Sequence, residues 1–306
     1  MNLDPQVAAL IEGLDAGFPP VHTMTGAQAR AAIRERLVPP AQPEPVATIR
    51  DQTISGAGAD IPIRIYRPRG HADDAGLPIL VYAHGGGFVF CDLDSHDGLC
   101  RSLANLVPAV VVSVGYRLAP ENPWPAAAED VYAATRWAAD IAGGDSRAVV
   151  VGGDSAGGNL AAVVALMARD RSGPAIAAQL LLYPMLAAGF DTESYRLFGK
   201  GFYNPAAALQ WYWDQYVPAP ADRDHPYASP LRADLHGLPP AVMVTAGHDP
   251  LRDEAIAYAD ALQSAGVVTV RCGYEGGIHG FMTMPMLDIA HQARRQACRE
   301  LATLLG

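Results

Sequence analysis

The run VVVGGDSAGGNLAA, Val149 to Ala162, sets a single hydroxyl, Ser155, among glycines where a β-branched run gives way to helix formers. Gly153-Asp154-Ser155-Ala156-Gly157 fits G-x-S-x-G, in which a strained strand-to-helix turn lifts the serine Oγ clear of the sheet. Side chains two residues before and after the serine collide in so tight a turn, which demands glycine at 153 and 157. Gly152 and Gly158 let strand and helix pack closely. The chemistry open to such a hydroxyl is nucleophilic attack, which needs a base that is itself held by an acid. The N-terminus of the following helix adds partial positive charge that favours a developing anion. A plainer reading is a tight turn without chemistry. A dinucleotide loop is another, but the glycines miss the first, third and sixth positions of G-x-G-x-x-G.

On a doubly wound sheet, ligands sit beyond the carboxyl ends of the strands, so base and acid are sought just after later strands. Asp249 follows PAVMVTAGH and His279 follows VVTVRCGYEGG, in the order serine, acid, histidine. Each has a plainer role: Asp249 as the N-cap of the helix begun by DPLRDEA, His279 as an ordinary loop histidine. Asp253 and Glu254 read as solvated first-turn acids, and His248, adjoining Asp249, as pointing elsewhere. The chemistry also needs N–H donors for a charged tetrahedral intermediate. The apolar run LPILVYA opens into His84-Gly85-Gly86-Gly87, whose backbone can turn amides inward, and Ala156 follows the serine with another N–H. His84 reads as an anchor of that loop. The nearby CDLDSHDG clusters acids with a histidine but lacks the glycine placement and terminal glutamate of a calcium loop. No metal is expected there, and Asp94 or Ser95 is expected to cap the next helix.

These residues need a scaffold, and the apolar pattern supplies one. IPIRIYRP alternates as a half-exposed strand, while PILVYAHG, AVVVSVGY, VVVGGD, AAQLLLYP and PAVMVTAG read as buried strands and VVTVRCGY as one more. Helical patterns lie between them at about 95–107, 125–141, 155–170 and 252–265, with a closing helix from Leu287 to Leu305. Strand and helix in regular alternation mean α/β class with a mostly parallel sheet covered on both faces. Before this body, Val7, Leu10, Ile11 and Leu14 follow helical spacing, a second helix follows Thr25, and the proline-rich VPPAQPEPV is a connector. Residues 190–220 hold nine of the 23 aromatics without a strand pattern, either as a helix packed on the core or as a lid lining an apolar pocket.

The 306 residues carry 22 Lys and Arg against 32 Asp and Glu, a formal charge of −10 that argues against nucleic acid as a partner. No apolar run reaches membrane-span length, and the N-terminus lacks the basic region of a signal peptide. Cys91, Cys100, Cys272 and Cys298 form no CxxC pair, which favours reduced thiols and a cytoplasmic location.

HGGGF, YRLAPENPWPAAAED, GDSAGGNLAA, YASPLRADLHGLPP, GHDPLRDEA and HGF occur in the order seen in the hormone-sensitive lipase family. From about residue 60 onward the chain resembles that family's bacterial esterases with a GDSAG motif. The resemblance implies an α/β-hydrolase fold: an eight-stranded, mostly parallel sheet with helices on both faces and a helical cap. Cap helices would occupy residues 1–45 and the catalytic domain 46–306, with a cap insertion at about 188–220. Ser155 would be nucleophile, Asp249 acid and His279 base, with Gly86, Gly87 and Ala156 as the oxyanion hole. Arg117 and Glu121 would form an internal ion pair, and Cys91 stands where relatives often carry glycine. The activity implied is hydrolysis of short-chain, apolar carboxylic esters by water through an acyl-enzyme, without a cofactor, and homodimers are common in the family. Amidase, lactonase and deacetylase chemistry at the same site, or a non-catalytic ligand receptor on the same fold, remain as alternatives.

Overall fold

The computed structural model describes residues 2–71, 76–142 and 148–306. The chain begins with helices α1 (Pro5–Gly17) and α2 (Gly26–Arg34), then strands β1 (Thr48–Ser55), β2 (Asp60–Arg67) and β3 (Ile79–Ala83). Helix α3 (Asp97–Leu106), β4 (Val110–Val114), α4 (Ala126–Ala142), β5 (Val149–Asp154), α5 (Ala156–Asp170) and β6 (Ala178–Leu182) follow in alternation. Two helices without an intervening strand, α6 (Glu193–Phe198) and α7 (Ala206–Tyr216), precede β7 (Ala241–His248), α8 (Arg252–Ser264), β8 (Thr269–Ile278) and α9 (Asp288–Leu305).

The eight strands form one sheet in the order β1-β2-β4-β3-β5-β6-β7-β8. The pairs β1–β2 and β2–β4 are antiparallel, and every later pair is parallel. The fold is thus the eight-stranded α/β-hydrolase sheet that the resemblance implies. Side chains alternate across each strand: Ile79, Val81 and Ala83 join the apolar cluster that includes Leu160 and Val131, while Leu80 and Tyr82 join the one that includes Leu103 and Ala290. Both faces are buried, which is why the parallel strands read as unbroken apolar runs.

Strand β1 carries no such run. It is an edge strand, TIRDQTIS, with all but two of its residues exposed, and it is held by its register against β2. At the start of α2, Thr25 and Gln28 form a capping box, the side chain of each accepting the other's backbone N–H. The Asp4 carboxylate accepts the N–H groups of Gln6 and Val7 to begin α1. The Asp4 N–H donates to the carbonyl of Gly276 at 3.0 Å, tying this helix to β8 just before His279.

Three local expectations are corrected. Neither Asp94 nor Ser95 caps α3: His96 occupies that position without a side-chain cap. The Asp92 carboxylate accepts the amides of both Asp94 and Ser95, and the Ser95 hydroxyl turns back to the Asp92 carbonyl. Arg117 does not pair with Glu121. It reaches the buried Asp130 on α4, with Nη2 at 2.7 Å from Oδ1, while Glu121 points outward to Arg30 of α2. Glu254 is not solvated either. It is buried in the first turn of α8, accepting the Leu186 amide at 2.7 Å, and burial pushes its carboxyl well above the usual range.

Candidate active site

The turn between β5 and α5 holds Ser155 at φ 54° and ψ −119°, a strained conformation for a residue with a side chain. The glycines around it are required by contact. A Cβ on Gly153 would lie 2.3 Å from the Gly157 carbonyl oxygen, and one on Gly157 would lie 2.0 Å from that of Ala83. On Gly158 it would meet the Pro184 Cβ at 2.7 Å. The Ser155 backbone is fixed from both sides, its N–H donating to Leu182 and its carbonyl accepting from Asn159 and Met185.

The Ser155 Oγ lies 2.9 Å from His279 Nε2, and His279 Nδ1 lies 2.8 Å from Asp249 Oδ2. Each of the three is less than a tenth exposed. A carboxylate only accepts, so Nδ1 carries the imidazole proton and Nε2 is left to accept from the hydroxyl. The other Asp249 oxygen accepts the Leu251 amide at 2.9 Å across the turn that precedes α8; the N-cap position of that helix belongs to Leu251, which has no side-chain cap, so the plainer N-cap reading of Asp249 is corrected. The two loops reach this position because β7 and β8 slip register between Ala246 and His248. Gly247 makes room there, since a Cβ would sit 2.1 Å from the Glu275 carbonyl oxygen. The Tyr183 ring meets the His279 imidazole edge-on at 5.2 Å. His248 points away, as expected, and stacks against Phe202.

Gly86 and Gly87 have φ of 112° and 58°, and both line the pocket above Ser155. Side chains are excluded there: a Cβ on Gly86 would lie 2.2 Å from the Phe90 carbonyl oxygen, and one on Gly87 would lie 2.4 Å from the Tyr212 ring. Among the described residues, no acceptor holds the N–H of Gly86 or Gly87. That of Ala156, first in α5, has no helical partner. Gly86 and Gly87 thus line the Ser155 pocket, and Ala156 adjoins Ser155, each with an N–H that has no acceptor among the described residues.

The residues that hold this loop are less visible from sequence. Asp154, the unspecified residue of G-x-S-x-G, is buried; its Oδ1 accepts the Gly85 amide at 2.9 Å and the Tyr82 hydroxyl at 2.8 Å. His96 Nε2 lies 3.1 Å from the same oxygen. Burial alone would raise the Asp154 carboxyl, but His96 and the hydrogen bonds from His96 and Tyr82 more than offset it and hold it below the usual carboxylate range. His84 packs as an anchor, its ring stacked 4.3 Å from Tyr116, whose hydroxyl donates to the His84 carbonyl at 2.8 Å. Burial, with His96 adding to it, lowers His84 to about 4, so it stays neutral. The only sequence signal for Asp154 is an acid in a motif position that any residue can fill.

The pocket at Ser155 has a volume of about 100 Å³. Phe18, which follows α1, lines it together with Tyr203 and Tyr212 from the aromatic segment, while Trp213 and Tyr216 of the same segment pack into the core. Rings of that segment thus both line the pocket and pack on the core. A cavity of about 380 Å³ adjoins the pocket and shares Cys91, His96, Tyr203 and Thr283 with it. Another cavity, about 550 Å³ between β1 and α4, touches none of these residues. Among the described residues, no group of His, Cys, Asp and Glu is arranged to hold a metal ion, and no helix is long and apolar enough to cross a membrane. The four cysteines are free thiols.

Residues 80–283 match the family described as having the alpha/beta hydrolase fold. The chain is 45% identical over 247 residues to the carboxylic ester hydrolase LipN of Mycobacterium tuberculosis, a match covering 77% of this chain and 65% of that protein. It is 38% identical over 294 residues to the carboxylesterase NlhH of the same species, covering 94% of this chain and 91% of that one. In structure it resembles the hyperthermophilic esterase of the archaeon Pyrobaculum calidifontis, with a TM-score of 0.89, 41% identity and full coverage of both chains (100% and 100%). An α/β-hydrolase sheet with a serine on its elbow, matched along its length by these esterases, makes the chain a member of the hormone-sensitive lipase type of α/β-hydrolase and a carboxylic ester hydrolase.

Proposed function

We propose that this ester hydrolase works through an acyl-enzyme on Ser155. The observation that carries the reading is the unbroken chain of hydrogen bonds from Ser155 Oγ through His279 to Asp249, at 2.9 and 2.8 Å. His279 Nε2 takes the Oγ proton as the oxygen attacks the ester carbonyl carbon. Asp249 keeps the Nδ1 proton in place and stabilises the imidazolium that forms. The carbonyl electrons move to oxygen, where the N–H groups of Gly86, Gly87 and Ala156 receive the charge. Collapse of the tetrahedral intermediate breaks the ester C–O bond, and His279 returns its proton to the leaving alkoxide. Water then gives a proton to His279 and attacks acyl-Ser155, releasing the carboxylic acid and restoring the hydroxyl. Residues 1–45 and the insertion at about 188–220 act as a cap that keeps bulk water from the pocket.

A shared acyl-enzyme has a signature in its products. In a fixed mixture of methanol and water, phenyl acetate, vinyl acetate and 4-nitrophenyl acetate are expected to give one common ratio of methyl acetate to acetate, because all three pass through acetyl-Ser155. Ratios that change with the leaving group would mean direct attack by water and overturn the reading.

The pocket also bounds the acyl group. A volume of about 100 Å³ equals that of about three waters, at ~30 Å³ each. For 4-nitrophenyl esters, kcat/KM should be highest at about two to four acyl carbons and fall by about tenfold or more for much longer chains, which overpack the site. A series that peaks at long acyl chains contradicts this.

A further inference from the structure

The cavity of about 380 Å³ beside the Ser155 pocket has a composition unlike the rest of the chain. Arg30, Arg34 and Arg36 line it against one acid, Asp92, although acids outnumber basic residues 32 to 22 in the whole protein. The cause lies in RAAIRERL at the end of α2. Arg30 and Arg34 are four residues apart on α2 and share a face with Ile33 beside them, while Arg36 and Leu37 follow in the turn after the helix. Met284 and Met286 supply apolar walls opposite. The space is apolar with a basic rim.

The three arginines are not equally engaged. Arg30 donates to the carbonyls of Val89 and Ala119 and pairs with Glu121. Arg34 pairs with Asp92. Arg36 donates to the Gly17 carbonyl at the end of α1 and, among the described residues, meets no carboxylate. A guanidinium has five N–H donors in a planar fork suited to a carboxylate, and most of those on Arg36 are unused.

We propose that this cavity receives the alcohol portion of the ester, and that the natural alcohol carries a carboxylate at its far end, bound by Arg36. The inference rests on the Ser155 reading above. With a short acyl group filling the pocket of about 100 Å³, the alcohol is the part left for the adjoining space of about 380 Å³. The substrate class is then a short acyl ester of a hydroxy acid, with an apolar spacer against Ile33, Leu37 and the methionines. Two charged lining groups, Arg34 and Asp92, already satisfy each other, so one added anion balances what remains at Arg36.

The test compares 6-acetoxyhexanoate with hexyl acetate, which replaces the carboxylate by a methyl group at the same chain length. In the full-length enzyme, the ratio of kcat/KM, acid over neutral ester, is expected to fall about tenfold in Arg36→Met, mostly through KM, because the anion is held equally before and during reaction. Arg36→Lys should keep part of the ratio. Raising salt should lower it in the unaltered enzyme, since the arginine is solvent-exposed. Binding of 6-acetoxyhexanoate to Ser155→Ala, read by calorimetry, should weaken about tenfold when Arg36→Met is added. A ratio unchanged within about twofold in Arg36→Met and insensitive to salt overturns the anion site while leaving the Ser155 reading intact. Undiminished ethyl acetate turnover in Ser155→Ala strikes that underlying reading instead, and the calorimetric comparison still reads the anion site on its own.

Discussion

Ser155→Ala is expected to lower kcat for 4-nitrophenyl acetate by about 10⁶, as measured for loss of the nucleophile in unrelated serine hydrolases, and to leave the protein folded. The size follows from what the hydroxyl does: without Oγ no covalent bond forms, and only the amide donors and substrate binding remain to assist water. The fold should survive because the mutation changes nothing that the turn depends on. Its demands fall on the neighbours, where a Cβ at 153 or 157 would penetrate a carbonyl oxygen at 2.3 or 2.0 Å. Alanine carries the same Cβ as serine, so the strain at φ 54° is unchanged. What is lost is one hydrogen bond to His279, worth about 1 kcal/mol. Thermal melting within a few degrees of the parent, with turnover at background, is the expected pair of results. Turnover kept at even about a hundredth of the parent value is far above what the donors alone supply, and would place the nucleophile elsewhere.

That prediction draws on a region where sequence and structure speak in the same terms. Steric demand made Gly153 and Gly157 legible, because few residues but glycine suit a turn where two carbonyls close in. Burial on both faces made the parallel strands legible as apolar runs. Asp249 and His279 stand out because the strand ends preceding them are clear, and the structure brings both to Ser155. Features resting on long-range contact were not legible. Strand β1 has no apolar run because it lies at the sheet edge with most of its side chains in water. Glu254 reads as a surface acid of a helix start, whereas the fold buries it and brings the Leu186 amide to it from a distant loop. Arg117 has several acids within reach in sequence, and the partner is decided by α4 carrying Asp130 beneath it. Asp154 is the most instructive: its neighbours on both sides are set by the motif, yet its role in holding the Gly85 loop depends on Tyr82 and His96 arriving from β3 and the turn before α3. A polar residue whose partners are remote leaves no local periodicity to detect.

The largest effect that separates catalysis from simple support of a turn is expected at Asp249. One of its oxygens accepts the Leu251 amide and the other faces His279 Nδ1. An asparagine oxygen can accept the Leu251 amide in this turn as the aspartate does, so a purely structural Asp249 would tolerate Asp249→Asn with little change in stability or activity. The proposed role makes the opposite demand. If the amide oxygen keeps Leu251, the amide NH₂ is turned toward Nδ1, which must then become an acceptor. The imidazole proton moves to Nε2, where it faces Ser155 Oγ and can no longer take the serine proton. Loss of the correct tautomer costs about 10⁴ in kcat where such a substitution has been made in a Ser-His-Asp site. The protein should therefore melt close to the parent while kcat for 4-nitrophenyl acetate falls by about that factor. Asp249→Ala removes the Leu251 contact as well and should lower the melting temperature in addition, consistent with about 1 kcal/mol for a lost hydrogen bond. A fully active Asp249→Asn enzyme would reduce Asp249 to a turn residue and leave His279 without the acid that the mechanism requires.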